Sequence, residues 1–387
     1  MRSDLIAQIN TESLVHNYRT LRSRLAPGVK FCAPLKADAY GHGIEVVAPE
    51  LFAAGADLAA VATIQEAIEL RGLVWRRPIL VLGGVLAVAD AAERRERLGA
   101  IDRHNLSLSI VDLESFAVLT GSQIAKPIDV HLKVDTGMGR MGIMPAEGRT
   151  VIERVLSNPH LRLAGIYSHF ASADLAQPDL ARRQLAAFKA LLSQLADILP
   201  AGALRHMANS AATICMPEAH FDMVRPGLAL YGYLPSNDMA DKIALRPILR
   251  LVSHLSAVKD LPAGHCVGYG QTFTTRRPTR LGIVPAGYSD GYLRCLSNTA
   301  FVTTPQGPAP VVGRISMDQF AVDLTDLAPL SPGAEITLIS DDPGHPNSVA
   351  RLAEAMRTIP YEVTCLLGRR IQRVQVGKSC AAASAVD

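Results

Sequence analysis

The residues best suited to chemistry lie in Ala33-Pro34-Leu35-Lys36-Ala37-Asp38-Ala39-Tyr40-Gly41-His42-Gly43. A short apolar run, Phe31 to Leu35, leads straight into a lysine, then small residues, a tyrosine and two glycines around a histidine. The pattern predicts a strand ending in Lys36 and a tight loop whose glycines let backbone come close to a ligand. An ammonium at a buried strand end must be desolvated or paired. Burial also lowers a lysine pKa and frees a nucleophilic amine able to form an imine with a carbonyl.

Other apolar runs end in similarly polar clusters. Val134-Asp135-Thr136-Gly137-Met138-Gly139-Arg140-Met141-Gly142 packs glycines around an arginine and follows the run containing Lys133. Ser168-His169-Phe170, Ala208-Asn209-Ser210-Ala211 and Arg225-Pro226-Gly227-Leu228 each end a further run. A lone strand-end histidine is ordinarily a satisfied structural residue. Four polar strand ends beside Lys36 are not explained by packing alone.

The elements that must carry these groups alternate from about residue 9 to 235. Strands are predicted at Phe31 to Leu35, Leu58 to Ala62, Ile79 to Leu82, Leu108 to Val111, Ile128 to Val134, Leu163 to Ser168, Leu204 to Met207 and Met223 to Val224. Helical patterns lie between them, among them Leu14 to Leu25, Ile44 to Ala54, Ile64 to Arg71 and Leu180 to Leu199. About eight βα units of this spacing fit a closed (β/α)8 TIM-like barrel, whose functional groups gather at the C-terminal strand ends. An open doubly wound sheet is the alternative, but no GxGxxG turn announces one. From 236 to 387 strand-like alternation dominates: Ile248 to Val258, Arg280 to Val284, Pro310 to Gly313, Phe320 to Leu324 and Glu335 to Ile339. Pro/Gly turns separate these strands, and helices follow from Val349 to Arg357 and after Pro360. This is a second, mainly β domain, with which residues 1–8 are expected to pair. Lys378 to Asp387 reads as a loose tail.

A chain of 387 residues with 49% hydrophobic and 19% charged residues is an ordinary globular composition, long enough for two domains. A net charge of +3 without a dense basic stripe argues against a nucleic-acid partner. Cys32, Cys215, Cys266, Cys295, Cys365 and Cys380 include no CxxC pair and read as reduced thiols, with no metal site. The longest apolar stretch, Ile79 to Ala89, is interrupted by Gly83 and Gly84 and is too short to cross a bilayer. Met1 to Leu5 lacks the apolar core of a secretory leader, so the expected location is cytoplasmic.

At this point a resemblance becomes specific. The chain resembles the alanine racemases, the pyridoxal-phosphate (PLP) barrel family. The motifs are Lys36 to Gly43, Asp135 to Arg140, Ala286-Gly287-Tyr288-Ser289-Asp290-Gly291, Gly313-Arg314-Ile315-Ser316-Met317-Asp318 and Pro360-Tyr361-Glu362, in order along nearly the whole chain. The resemblance implies that Lys36 holds PLP as an imine and acts as one of two bases. Tyr288 is implied as the second, on the opposite face, with His169 as its contact and Arg225 behind it. A tyrosine is a weak base near its reference pKa of about 10 and needs a cation close by. Arg225 is implied to face the pyridine nitrogen, which it leaves unprotonated, weakening the electron sink.

The same resemblance implies phosphate binding by Ser210, the amides near Gly227 and Leu228, and the hydroxyls of Tyr40 and Tyr361, with Asn209 also at the cofactor. Arg140 is implied beside the cofactor's phenolic oxygen and the substrate carboxylate. Lys133 matches a lysine that some relatives carry as a carbamate. Met317 is implied to offer an amide to the substrate carboxylate, and Asp318 to line the entry. Ser289 and Ser316 depart from more usual alanine and cysteine without touching these roles. The implied activity is interconversion of L- and D-alanine for peptidoglycan, in a head-to-tail homodimer where Tyr288, Met317 and Asp318 serve the other subunit's Lys36. A racemase of serine or basic amino acids is the nearest alternative. Arg225 argues against a decarboxylase of the same barrel class, and the β domain against a small PLP carrier.

Overall fold

Three of the chain's short strands, Leu58–Val61, Ile79–Val81 and Ser107–Ile110, are buried along their whole length. That is the signature of strands covered on both faces, as in a parallel sheet wrapped by helices. In the computed structural model, which describes residues 4–121, 126–174 and 179–378, they belong to a closed parallel barrel. With β1 as Ile6–Asn10, the barrel strands are β2 (Lys30–Pro34), β3 (Leu58–Val61), β4 (Ile79–Val81), β5 (Ser107–Ile110), β6 (Ile128–Lys133), β7 (Leu161–Tyr167), β8 (Leu204–His206) and β9 (Met223–Val224). Pairing of Lys30 with Met223 and of Phe31 with Val224 closes the ring.

The helices start where short polar side chains can take their free amides. Asn10 accepts from Ser13 N–H at 2.9 Å, so the first helix, Thr11–Arg22, begins three residues before its apolar periodicity does. Asp90 and Asp112 cap Ala91–His104 and Leu113–Thr120 in the same way. Thr63 and Glu66 form a capping box on Ile64–Leu73. Phe31, Trp75, Phe116 and Phe188, all fully buried, anchor the packing of these helices on the barrel.

The second unit is a nine-stranded sheet built from β10 (Leu249–His254), β11 (Ala257–Leu261), β14 (Thr279–Val284), β15 (Phe301–Thr304), β16 (Gly307–Val312), β17 (Phe320–Asp323), β18 (Glu335–Ile339) and β19 (Gln372–Val376), together with β1. A small hairpin of β12 (Cys266–Val267) and β13 (Phe273–Thr274) lies beside it. The run expected as one strand from Ile248 to Val258 breaks at Leu255 and Ser256 into β10 and β11. β1 sits between β10, antiparallel to it, and β19, parallel to it. Residues 379–387, and Cys380 with them, lie outside the described residues; Cys32, Cys215, Cys266, Cys295 and Cys365 are free thiols. Among the described residues no helix is long and apolar enough to cross a membrane.

Candidate active site

Lys36 follows β2 after one residue, Leu35, and the segment after it is more than a loop. Ala37, Asp38, Ala39 and Tyr40 all take positive φ, between 52° and 57°, forming one turn of left-handed helix without a glycine. Such a conformation costs roughly 1–2 kcal/mol at each non-glycine residue, so the surroundings must impose it. Ala39 N–H donates to Leu35 O at 3.0 Å and Gly41 N–H to Ala37 O at 2.8 Å. Ile44 N–H donates to Asp38 Oδ1 at 2.7 Å, and Ala37 N–H to Glu66 Oε1 at 2.7 Å. From β19, Arg373 Nε and Nη2 donate to Gly41 O at 3.3 and 3.2 Å. Gly41 closes the turn with φ +82°, where a Cβ would fall 2.0 Å from Thr364 O.

The turn presents a half-buried amine, its Nζ 5.8 Å from the Tyr40 ring centre. Burial, then the Arg140 charge, lowers the Lys36 pKa. The other cations gather around it. Lys133, at the end of β6, is 7% exposed, and burial with the Arg140 and Arg225 charges brings it down to about 8. His169 is pushed down to about 3 by burial and by Arg225, Arg140, Lys133 and Lys36. It is a neutral imidazole at pH 7. Asp135, whose charge acts on Lys133, accepts from the amides of Gly137, Met138, Gly139 and Arg140. Burial opposes its ionisation, but those four amides outweigh it and hold the carboxylate low. A loop of this kind fixes Arg140 through its backbone.

Arg225 is 6% exposed. Its Nη2 donates to Ser168 O at 2.9 Å and its Nη1 to His206 Nδ1, while its Cζ lies 5.0 Å over the Tyr167 ring. The Arg225 charge acts on His169, and no described hydrogen bond joins the two. His206 stacks on Tyr167 at 4.7 Å and meets His131 Nδ1 through its Nε2 at 2.9 Å.

Beside the amine lies a cradle of hydroxyls and close backbone. A Cβ on Gly227 would sit 2.4 Å from Tyr40 Oη, so only glycine leaves that hydroxyl in place. Ser210 Oγ accepts from Ala229 N–H at 3.1 Å, leaving its own hydrogen to donate. Asn209 caps the short helix Ser210–Cys215 and Leu228 opens the 3-10 turn Leu228–Tyr231. The Tyr361 ring is 5.9 Å from Tyr40, and burial, then Asp174, raises its hydroxyl pKa to about 12. Neutral hydroxyl donors, amides and a glycine-sized opening beside a lysine fit a phosphorylated carbonyl compound such as PLP.

Tyr288, Met317 and Asp318 stand apart from this group. They project from loops of the β domain, with Tyr288 40% and Met317 54% exposed. Tyr288 N–H donates to Ser316 O at 3.1 Å, and Ser289 Oγ to Met317 O at 2.7 Å. Gly287 permits this contact, since a Cβ there would meet Met317 O at 2.2 Å. Arg370 fastens the pair of loops, donating to Asp290 at 3.0 Å and Asp318 at 2.8 Å. No described hydrogen bond, ring contact or charge interaction joins Tyr288 to the Lys36, His169 or Arg225 of its own chain.

Sequence reasoning overlooks Glu66, Tyr167, His131, His206 and Arg370. One signal was available: His131 precedes Lys133 by two residues on β6 and therefore shares its face.

A parallel barrel with an amine and clustered cations at one mouth, joined to a curled β sheet, defines the class: a two-domain barrel enzyme with its site at the C-terminal strand ends. Comparison with known proteins narrows this. The family described as "Alanine racemase, N-terminal domain" matches residues 9–235, and "Alanine racemase, C-terminal domain" matches 248–375. An alanine racemase of Desulfovibrio desulfuricans is 38% identical over 373 residues, 96% of this chain and 97% of its own length. The structure of alanine racemase from Streptomyces coelicolor A3(2) is 37% identical and superposes with a TM-score of 0.89, covering 97% of this chain and 98% of that one. Another, from Bartonella henselae and described with covalently bound pyridoxal phosphate, is 30% identical with a TM-score of 0.84, covering 97% of this chain and all (100%) of its own. The chain belongs to the alanine racemase family and is an isomerase.

Proposed function

We propose that this protein interconverts L- and D-alanine by a PLP-dependent two-base route, as a cytoplasmic homodimer supplying D-alanine for peptidoglycan. The observation that carries this reading is the Lys36 amine, lowered in pKa by burial and Arg140, set beside the Tyr40, Ser210 and Gly227 cradle. PLP, when bound, supplies an aldehyde for that amine and a ring that withdraws electrons from an attached amino acid.

The chain's residues divide the remaining work. Ser210, the amides of Gly227 and Leu228, and the Tyr40 and Tyr361 hydroxyls would hold the phosphate, with Asn209 at the edge of the same cradle. Arg225 would face the ring nitrogen; a guanidinium has no acceptor and keeps its protons at pH 7, so it would leave that nitrogen unprotonated. Arg140 and the amide of Met317 of the partner subunit take the substrate carboxylate. Lys36 removes or returns the Cα proton on one face. Tyr288 of the partner subunit acts on the other, beside His169, while Met317 and Asp318 of the partner subunit border the entry. Exposure of Tyr288 and Met317 in the single chain supports a site completed by a second copy.

The test is racemisation of L-alanine followed by chiral chromatography, with and without added PLP, and with L-serine and L-lysine alongside. PLP-dependent formation of D-alanine well above the other two products is expected. A PLP-bound protein that converts none of the three overturns the reading.

A further inference from the structure

Glu66 is placed to do two jobs with its two carboxylate oxygens. Oε2 accepts from Ala62 N–H at 2.7 Å and Thr63 N–H at 3.1 Å, the ordinary work of the third residue in a capping box. Oε1 is turned the other way, onto Ala37 N–H at 2.7 Å, the amide immediately after Lys36. That amide opens the left-handed turn, in which four successive non-glycine residues hold positive φ. The carboxylate charge also acts on Lys36, opposing the lowering of its pKa by burial and Arg140.

We propose that Glu66 is a positioning residue for Lys36: by bridging the end of β3 to the amide of Ala37, it holds the left-handed turn that aims the amine into the cradle. The inference rests on the reading of Lys36 as the residue that carries PLP. A carboxylate suits the task because it offers acceptors in two directions at once, whereas a glutamine offers one oxygen and turns an N–H toward the other donor. The helix cap and the catalytic turn therefore share one side chain.

The experiment compares Glu66→Gln with Thr63→Ala. The second variant removes the hydroxyl that accepts from Glu66 N–H at 3.2 Å, and so weakens the cap, but leaves the bond to Ala37. Three quantities are read: the thermal midpoint of the apoenzyme, the PLP dissociation constant from cofactor absorbance, and amide exchange at Ala37. Glu66→Gln is expected to lower PLP affinity roughly tenfold or more and to speed exchange at Ala37, while Thr63→Ala lowers the midpoint and leaves PLP affinity within about twofold. Equal losses of PLP affinity in the two variants overturn the proposal and reduce Glu66 to a helix cap. Should Glu66→Gln not fold, unprotected Ala37 exchange in the unsubstituted apoenzyme overturns it equally, and protected exchange supports it. If Lys36→Ala keeps the cofactor absorbance of the parent protein, it is the assignment of Lys36 that fails, a result separate from either outcome.

Discussion

Arg225 Nη1 donates to His206 Nδ1, and this contact fixes the proton on every ring nitrogen behind it. A guanidinium only donates, so Nδ1 must accept and Nε2 must carry the hydrogen. That hydrogen goes to His131 Nδ1 at 2.9 Å, which leaves Nε2 of His131 as the donor at the far end. His131 lines a cavity of about 700 Å³ together with Lys30, Asp57 and Ser107, from the starts of the barrel strands and the loops beside them. A one-way chain of donors thus runs from Arg225 at the mouth to that end. Gly165 makes room for it, since a Cβ there would fall 2.4 Å from His131 Nδ1.

The chain has a pH consequence. Burial, then the Arg225 charge, holds His206 well below its ordinary value, and burial brings His131 down to about 4. An unfolded histidine titrates near 6.5, so between roughly pH 6.5 and 4 the unfolded state binds protons that the folded state refuses. Stability is therefore full above that window and falls as pH drops through it, by up to ~1.4 kcal/mol per pH unit for each such histidine. His131→Gln keeps an acceptor for His206 and removes one titration. Denaturant midpoints of the apoenzyme at pH 7 and 4.5 should differ less in this variant, and an undiminished difference would falsify the assignment.

Gly227→Ala tests the cradle without testing the backbone. Gly227 has φ −87°, outside the left-handed region, yet its added Cβ would meet Tyr40 Oη at 2.4 Å. The variant should fold with a nearly unchanged thermal midpoint and bind PLP roughly tenfold more weakly, ~1.4 kcal/mol. Unchanged affinity, measured by equilibrium dialysis, would remove Tyr40 and Gly227 from the cofactor site.

Tyr288→Phe should retain the cofactor and its absorbance, because Tyr288 stands apart from the cradle. Loss of a positioned acid-base group costs on the order of 100- to 10,000-fold. Exchange of the Cα hydrogen with deuterated solvent should fail from one enantiomer and persist, through Lys36, from the other. Equal loss from both enantiomers would argue for a structural role.

Lys133 carries an amine brought down to about 8 by burial and by the Arg140 and Arg225 charges. Near pH 8 about half of it is the neutral amine, a nucleophile for carbon dioxide, and a carbamate there would set an anion against Arg140. Isotope-labelled bicarbonate should give a carbamate resonance that Lys133→Ala abolishes. A spectrum without that resonance, or one unchanged in the variant, sinks carbamylation.

The barrel and the amine at its mouth are legible from sequence because apolar runs of strand length recur at regular spacing and end in Lys36, Asp135, His169, Asn209 and Arg225. The left-handed turn is not legible. Ala37 and Ala39 have no propensity for positive φ, and bonds from Glu66, Asp38 and Arg373, far apart in sequence, impose it. The histidine chain is hidden for a related reason. His131 and His206 matter through a contact across 75 residues, which no periodicity reports. Tyr288 reads correctly as part of a glycine-rich loop, but the charges it would face are carried by the barrel.

β1 is threaded between β10 and β19, and Arg373 of β19 reaches back to Gly41 beside Lys36. During synthesis, residues near 370 emerge after more than three hundred others have left the ribosome. Until then β1 is the outer strand of its sheet, and the lysine turn lacks the brace that Arg373 gives it. A nascent chain therefore has the lysine turn braced by Glu66 and Asp38 alone, and its last brace arrives with the β19 strand.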